Sequence, residues 1–156
     1  SLSSGFPKGV APLDEHRVDT RQVAGGAKLF DALRCVACHT ASMKTGSNHL
    51  FAELRDQTIR PYTDLLLHDM GPGLADGYQE GQASGSMWRT PALWGLGLSE
   101  AVMEKEGNVG YLHDGRARDL TEAIMWHGGE AAAARNRFAK LNKAQRDELM
   151  AFLRSL

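Results

Sequence analysis

The chain has 156 residues, of which 42% are hydrophobic, and this length suits one compact domain with a buried core. Its 18 basic and 19 acidic side chains give a formal charge of −1 and are mixed along the sequence. No basic run is long enough to follow a phosphate backbone, which argues against a nucleic-acid partner. No apolar stretch approaches the roughly 18 residues that a transmembrane helix needs, so we expect no membrane span.

The first helix is predicted directly after an opening segment. We expect residues 1–18 to be flexible and residues 19–156 to form the domain. No leader sequence is recognisable, and we expect that one has been removed from a mature or excised chain. From Asp19 onwards, apolar residues recur at spacings of three and four, which is typical of an amphipathic helix. They are Val23, Ala27, Phe30 and Leu33.

Capping signals predict two helices in the last third of the chain. Asp119 and Glu122 can cap a helix that continues through His127 and ends at the two glycines after it. Asn142 and Gln145 can cap a closing helix that reaches the last residues. The chain is therefore expected to begin and end in helices.

The middle of the chain is predicted to consist largely of loops. Residues 71–85 are rich in glycine, and residues 91–97 are interrupted by proline and glycine. A further helix is expected over residues 131–140. Because no alternating strand pattern is visible, we predict a mostly α-helical domain, and loops of this length normally have a functional reason.

The motif that indicates a cofactor follows the first predicted helix directly. It reads Cys35-Val36-Ala37-Cys38-His39, which is the spacing of c-type haem attachment. Two thiols three residues apart lie on one side of a helical turn, where each can form a thioether at the porphyrin edge. The next residue then lies under the iron, and its second ring nitrogen is free to donate to a backbone carbonyl. We predict one covalent haem c on Cys35 and Cys38, with His39 as proximal iron ligand.

Three other interpretations of the two cysteines are less favoured. A structural zinc site needs four ligands and usually a second cysteine pair. A thioredoxin-like redox pair needs a preceding strand and a parallel sheet. Two buried spectator cysteines would leave the adjacent histidine as a coincidence. Haem attachment explains all three residues together.

Two residues of the first predicted helix support a haem domain. Gly26 and Phe30, just before the cysteines, resemble the first helix of cytochrome c folds. In those folds a small residue and an aromatic residue of the first helix pack against an aromatic residue of the last helix. The resemblance implies that Phe152 is this partner and that the two helices approach closely.

A wider resemblance runs from about residue 60 to the C-terminus. It rests on Trp88-Arg89-Thr90-Pro91, Tyr111-Leu112-His113-Asp114-Gly115 and Leu120-Thr121-Glu122-Ala123-Ile124. These segments resemble the C-terminal haem domain of the bacterial di-haem cytochrome c peroxidase superfamily. They are most similar to its branch of di-haem thiol oxidoreductases and peroxidases. This implies a cytochrome c-like helical domain whose long loops wrap one covalently bound haem.

The resemblance also indicates a sixth iron ligand. In the peroxidases, the helix after the His-Asp-Gly turn supplies a methionine to the iron, three residues beyond the position of Ile124. His127 stands at that position here, which implies that His39 and His127 both bind the iron. A cationic His127 at a helix C-terminus is the alternative. Further candidate ligands are Met125, Met70 and His68.

Several other residues are candidates for the haem surroundings. Arg89 could donate to a haem propionate, or it could be an exposed surface arginine. Trp94 is expected to line the pocket together with Trp88 and Trp126, because aromatic side chains match the apolar surface of a porphyrin.

The His-Asp-Gly turn leaves two interpretations open. His113 and Asp114 can shape the turn through bonds from side chain to backbone. With Glu122, they are also the candidate acid–base groups if peroxide is cleaved at this iron.

Two imidazoles saturate an iron, so we predict electron transfer, with this chain as the C-terminal half of a larger di-haem oxidoreductase. The alternatives are a peroxidase with a displaceable His127 and a haem-based ligand sensor. We expect the partner to be a small redox protein or a second haem domain, docking through a weak, mixed-charge surface. Because bacteria attach haem c outside the cytoplasm, we expect an exported, periplasmic protein.

Overall fold

The computed structural model describes residues 19–105 and 110–156, and the predicted flexible segment 1–18 lies outside these ranges. Within them the chain forms five α-helices, namely α1 Thr20–Ala32, α2 Leu96–Lys105, α3 Leu120–Met125, α4 Ala132–Phe138 and α5 Lys143–Arg154. The predicted mostly α-helical fold is confirmed. None of the helices in the described ranges is long and apolar enough to cross a bilayer.

Two small antiparallel sheets lie between α1 and α2. Strand β1 (Met43–Lys44) pairs with β2 (Thr58–Ile59), and β3 (Leu67–Asp69) pairs with β4 (Met87–Arg89). Strands of two or three residues are too short to produce a visible alternating pattern, which explains why the sequence did not indicate them. The glycine-rich residues 71–85 form the predicted loop, which joins β3 to β4.

Both terminal helices begin where the sequence indicated. Asp19 accepts a hydrogen bond from the backbone N–H of Arg21 at 2.9 Å and caps α1. Asn142 and Gln145 form a complete capping box on α5, in which each backbone N–H donates to the other side chain at 3.0 Å. These bonds satisfy backbone donors that a helix start would otherwise leave unpaired.

Helices α1 and α5 pack directly against each other through Gly26. A Cβ atom added at Gly26 would collide with the backbone carbonyl of Glu148 and with the Phe152 side chain. The rings of Phe30 and Phe152 lie 5.3 Å apart at this contact. The close approach that the cytochrome c resemblance implied is therefore present.

Two helices of the C-terminal half are shorter than predicted. Helix α3 ends at Met125, with Trp126 as its C-cap, so His127 follows the helix instead of belonging to it. Asp119 caps α3 as predicted, but the Glu122 side chain accepts from Arg118 N–H and does not complete a capping box. Helix α4 is preceded by a 3₁₀ turn over Gly129–Ala131.

Helix α2 was not predicted. The sequence before it contains Gly95 and Gly97, which were interpreted as loop residues. Gly97 lies so close to the carbonyl of Arg154 on α5 that a Cβ atom would overlap it. Gly95 donates to the carbonyl of Leu156 at 2.9 Å with a φ of 79°. These glycines serve helix packing and a turn, two roles that local sequence signals do not distinguish from a loop.

The contact at Gly26 can be tested with a matched pair of substitutions. Gly26→Ala is expected to lower the free energy of unfolding by about 3 kcal/mol, because the added methyl group meets backbone atoms that cannot move aside. Gly25→Ala, one residue earlier, meets only the carboxylate end of the flexible Glu148 side chain. It should be neutral or stabilising by up to about 1 kcal/mol through helix propensity. Urea unfolding of the two variants measures both effects, and equal losses would contradict the packing argument.

Candidate haem site

The cysteine motif forms a single tight turn at the end of α1. Residues Cys35–Ala37 are a 3₁₀ helix, entered through Arg34 with a φ of 69°. The backbone N–H of His39 donates to the carbonyl of Cys35 at 2.9 Å, which closes the turn. Both thiols are free and partly exposed. The turn therefore presents two thiols and one imidazole within five residues.

Burial favours the neutral form of the two thiols. It raises the pKa of Cys35 to about 11, and it raises the pKa of Cys38 with further help from the Asp64 and Glu130 carboxylates. Both groups are therefore neutral thiols at pH 7. A redox pair of the thioredoxin kind requires a lowered cysteine pKa, so the structure argues against that alternative.

Arg137 ties the start of the motif to helix α4. Its guanidinium donates twice to the carbonyl of Leu33, at 3.0 and 2.8 Å. This carbonyl lies at the C-terminal end of α1, where a cation is favoured by the helix dipole. The two residues are 104 positions apart, and nothing local in the sequence indicated the contact.

His39 is oriented by a backbone carbonyl, as predicted for the residue after the second cysteine. Its Nδ1 donates to the carbonyl oxygen of Tyr62 at 3.0 Å. Burial lowers the pKa of His39 to about 4, so the ring is neutral at pH 7. Because Nδ1 holds the proton, the Nε2 lone pair is available to a metal.

Tyr62 anchors His39, although no local signal in the sequence indicates this role. Its backbone is left-handed, with a φ of 54°, and its ring packs edge-on against Phe30 and Phe152 at 6.0 and 5.9 Å. The next residue, Thr63, is fully buried, and its hydroxyl donates to the carbonyl of Thr90 at 2.7 Å. The Tyr62 carbonyl is thus held in place by the packed Tyr62 ring before the peptide bond and by the buried Thr63 side chain after it.

His127 repeats the arrangement of His39 on a different element. Its Nδ1 donates to the carbonyl of Ala123 at 2.8 Å, one helical turn back on α3. Burial lowers the pKa of His127, which argues against the alternative of a cation at the helix end. The repulsion that a charged His127 would exert lowers the pKa of His39 further. Both histidines therefore keep Nε2 as the nitrogen for binding.

A third histidine near this region carries a different charge. His68 on β3 donates from Nε2 to Asp64 and from Nδ1 to Glu130, each at 2.9 Å. These two carboxylates raise the pKa of His68, and both ring nitrogens hold protons. An imidazolium cannot bind iron, so this geometry argues against His68 as a reserve ligand. Met125, another reserve candidate, is 44% exposed on α3.

The zinc alternative is also disfavoured by this cluster. Within the described residues, one group of metal-ligand type is present, formed by Cys38, Asp64 and His68, whose ligand atoms lie within 4.8 Å of one another. A structural zinc site needs four ligands. This group has three members, and both ring nitrogens of its histidine already bond to carboxylates. The group is therefore an ion cluster centred on His68.

Arg89 and Trp94 lie in different surroundings. Arg89 is exposed on β4, opposite Leu67, and the described residues give it no hydrogen bond. Trp94 is half-buried in the turn before α2. The N–H of the preceding Leu93 donates to the carbonyl of Pro61 at 2.8 Å, next to the Tyr62 anchor of His39. The structure brings Trp94 into this region and leaves Arg89 at the surface.

The candidate acid–base groups have structural partners. Asp114 forms a 2.6 Å ion pair with Arg116 and also accepts from the Arg116 backbone N–H. His113 stacks on Trp88 with the ring centres 3.5 Å apart. Glu122 binds the exposed Arg118 at 2.9 Å. These contacts favour the structural interpretation of the His-Asp-Gly turn.

Two further contacts connect this turn to its neighbours. The Arg116 guanidinium lies over the ring of Trp126, 4.9 Å from its centre, and donates to the carbonyl of Gly73. The indole N–H of Trp88 donates to the carbonyl of Leu74 at 3.0 Å. The turn, α3 and the glycine-rich loop are therefore held together beside His127.

The chain matches the family described as "Di-haem oxidoreductase, putative peroxidase" over residues 9–156. A match over nearly the whole sequence shows that the chain belongs to this family, and the resemblance to the peroxidase branch is confirmed. Neither the curated proteins nor the solved structures that were compared yield a match. Haem binding and oxidoreductase chemistry are properties of the family to which the chain belongs.

The residues present fit a haem group of the c type. The motif offers two neutral thiols on one turn, and two neutral imidazoles with Nε2 available come from different elements. Imidazole nitrogen is a ligand that haem iron accepts on either face. The donor set therefore agrees with the family assignment.

The charge of the His68 cluster should make stability depend on pH. Because folding raises the pKa of His68, this group stabilises the folded state fully below its unfolded pKa of 6.5. That stabilisation is lost as the pH rises through the pKa of the folded state. The pKa values of Asp64 and Glu130 are lowered, so their contribution is lost in acid, below about their ordinary values of 3.8 and 4.5. We expect His68→Gln to cost about 1 kcal/mol more at pH 6 than at pH 9. Thermal or urea unfolding at both pH values measures this, and a pH-independent loss would contradict it.

Proposed function

We propose that this chain carries one covalent haem c and transfers electrons as the C-terminal half of a larger di-haem oxidoreductase. The observation that supports this most is the matched pair His39 and His127. Each is neutral, and each donates its Nδ1 proton to a backbone carbonyl. Each ring would thus offer its Nε2 to a haem iron.

The cysteine motif and several residues outside it would hold the haem. Cys35 and Cys38 would each form a thioether by addition of the S–H across a haem vinyl group, which would need no external oxidant. His39 and His127 would bind the iron, and Trp94 would line the pocket. Arg89, which is exposed on β4, pairs with a propionate. The long loops wrap the porphyrin in the manner of cytochrome c folds. When bound, the haem supplies a one-electron iron centre.

The ligands and acid–base groups of the site support electron transfer over peroxide cleavage at this haem. With both imidazoles on the iron, no position is open for peroxide. His113, Asp114 and Glu122, which would have to move protons during peroxide cleavage, already have partners of their own. A second imidazole in place of a methionine also lowers the reduction potential relative to the methionine-ligated relatives.

The second haem of the family must come from elsewhere. This sequence contains one Cys-x-x-Cys-His motif, whereas the family is named for two haems. We propose that a second haem domain or a small redox protein docks on this chain through a weak, mixed-charge surface. We also propose a periplasmic location, because bacteria form the two thioethers outside the cytoplasm.

Haem content and ligation are tested on the protein matured with haem. A pyridine haemochrome assay should count one haem per chain, and the Cys35→Ala, Cys38→Ala double variant should lose it. The oxidised wild type should lack the sulfur-to-iron charge-transfer band of methionine ligation. His127→Met should acquire this band and a higher potential, within the roughly 0.8 V range that axial ligands span. Met125→Leu is the control and should leave the spectrum unchanged. A sulfur band in the wild type that Met125→Leu removes would refute His127 as ligand.

Peroxidase activity separates the proposal from its main competitor. The haem-loaded chain alone, given peroxide and an electron donor, is expected to turn over at least a hundredfold more slowly than His127→Ala, in which one face of the iron is open. A general acid typically contributes roughly 10²- to 10⁴-fold, so even the open variant should remain slow without a free proton donor. Steady-state assays with both proteins measure this. Turnover by the wild type at enzyme-like rates would show that the chain is a peroxidase in its own right.

A further inference from the structure

The ion cluster at His68 connects two parts of the chain that are far apart in sequence. Asp64 lies on the segment before β3, and Glu130 lies in the 3₁₀ turn after α3. The imidazole is held between them, with one ring nitrogen 2.9 Å from each carboxylate. The side chains of His68 and Asp64 are only 17% and 14% exposed, whereas that of Glu130 is 55% exposed. Solvent therefore weakens the bond to Asp64 less than the bond to Glu130.

Each carboxylate lies close in sequence to a residue of the candidate haem site. Asp64 is two residues after Tyr62, whose carbonyl accepts the Nδ1 proton of His39. Glu130 is three residues after His127. One imidazolium therefore joins the segment that orients the first candidate ligand to the segment that carries the second.

Close backbone contacts reinforce the side of the cluster that follows His127. The second carboxylate oxygen of Glu130 accepts from the Asp69 backbone N–H at 3.0 Å. A Cβ atom at Gly129 would overlap the carbonyl of Asp69, and one at Gly128 would lie 2.6 Å from the carbonyl of Met70. The chain after His127 thus lies directly on the end of β3, with no room for side chains between them.

We propose that His68 is a positioning residue that fixes the spacing of the His39 and His127 imidazoles and thereby keeps His127 on the iron. The inference rests on the proposed function, because it assumes that both histidines are ligands. Its physical basis is that two opposed carboxylates hold the ring from both sides, so neither segment can move without losing a charge-assisted hydrogen bond. Loss of either bond breaks the ionic connection between the segment before β3 and the chain after His127.

The test uses the haem-loaded chain and two substitutions that break the same link. In His68→Gln and Glu130→Gln, carbon monoxide should bind the reduced protein at least tenfold faster than in the wild type, because His127 leaves the iron more often. The double variant should be no faster than His68→Gln alone, since this substitution already breaks the link that Glu130→Gln breaks. Asp147→Asn, which removes an exposed carboxylate paired with Lys143 on α5, is the control and should bind at the wild-type rate.

A second readout does not depend on the iron. The amide proton of Asp69, which donates to Glu130, should exchange with solvent at least tenfold faster in His68→Gln, whereas amides in the middle of α5 keep their rates. Should His68→Gln fail to fold, Glu130→Gln still tests the link. If both variants bind carbon monoxide as slowly as the wild type does, the positioning role is overturned and the proposed function stands. If the wild type itself binds carbon monoxide rapidly, both proposals are overturned. The spectrum of the wild type distinguishes these two failures.

Discussion

The approach of α1 to α5 at Gly26 is the contact on which the candidate site depends. It allows the rings of Phe30 and Phe152 to meet, and the ring of Tyr62 packs against both. The same contact fixes the end of α1, from which the cysteine motif starts. The Tyr62 carbonyl that orients His39 is therefore held by the helix pair that also positions the two thiols. A change in helix spacing would alter both parts of the site together.

The charge state of each histidine follows from the kind of acceptor that its ring meets. His39 and His127 donate to backbone carbonyls, which carry no net charge, and burial then keeps the rings neutral. His68 meets two carboxylates and is kept cationic. Three histidines of one region are thus divided into two candidate ligands and one ionic link. Carboxylate acceptors on His39 or His127 would have raised their pKa values and favoured the charged form.

Local signals in the sequence were sufficient for the ends of the domain. The periodicity before Leu33 and the Asn142 to Gln145 capping box predicted α1 and α5. The cysteine spacing predicted a tight turn and a carbonyl bond to His39. Tyr62 and Glu130 could not be found in this way, because their partners lie 23 and 62 residues away and depend on tertiary packing. Helix α2 was not predicted because Gly95 and Gly97 resemble loop signals when only the local sequence is considered. Their actual role is to allow close contacts with the C-terminus.

The charged groups near the candidate site support the proposed electron-transfer role independently of iron ligation. Cleavage of a peroxide bond requires a proton donor that can release its proton toward an open iron position. Asp114 and Glu122 are carboxylates at neutral pH, and hydrogen bonds from Arg116 and Arg118 lower their pKa values further. The protons of His68 are both committed to carboxylates. Neutral rings at the two candidate ligands His39 and His127, beside acids that are ionised, fit the proposed electron-transfer role better than a proton-dependent step at this site.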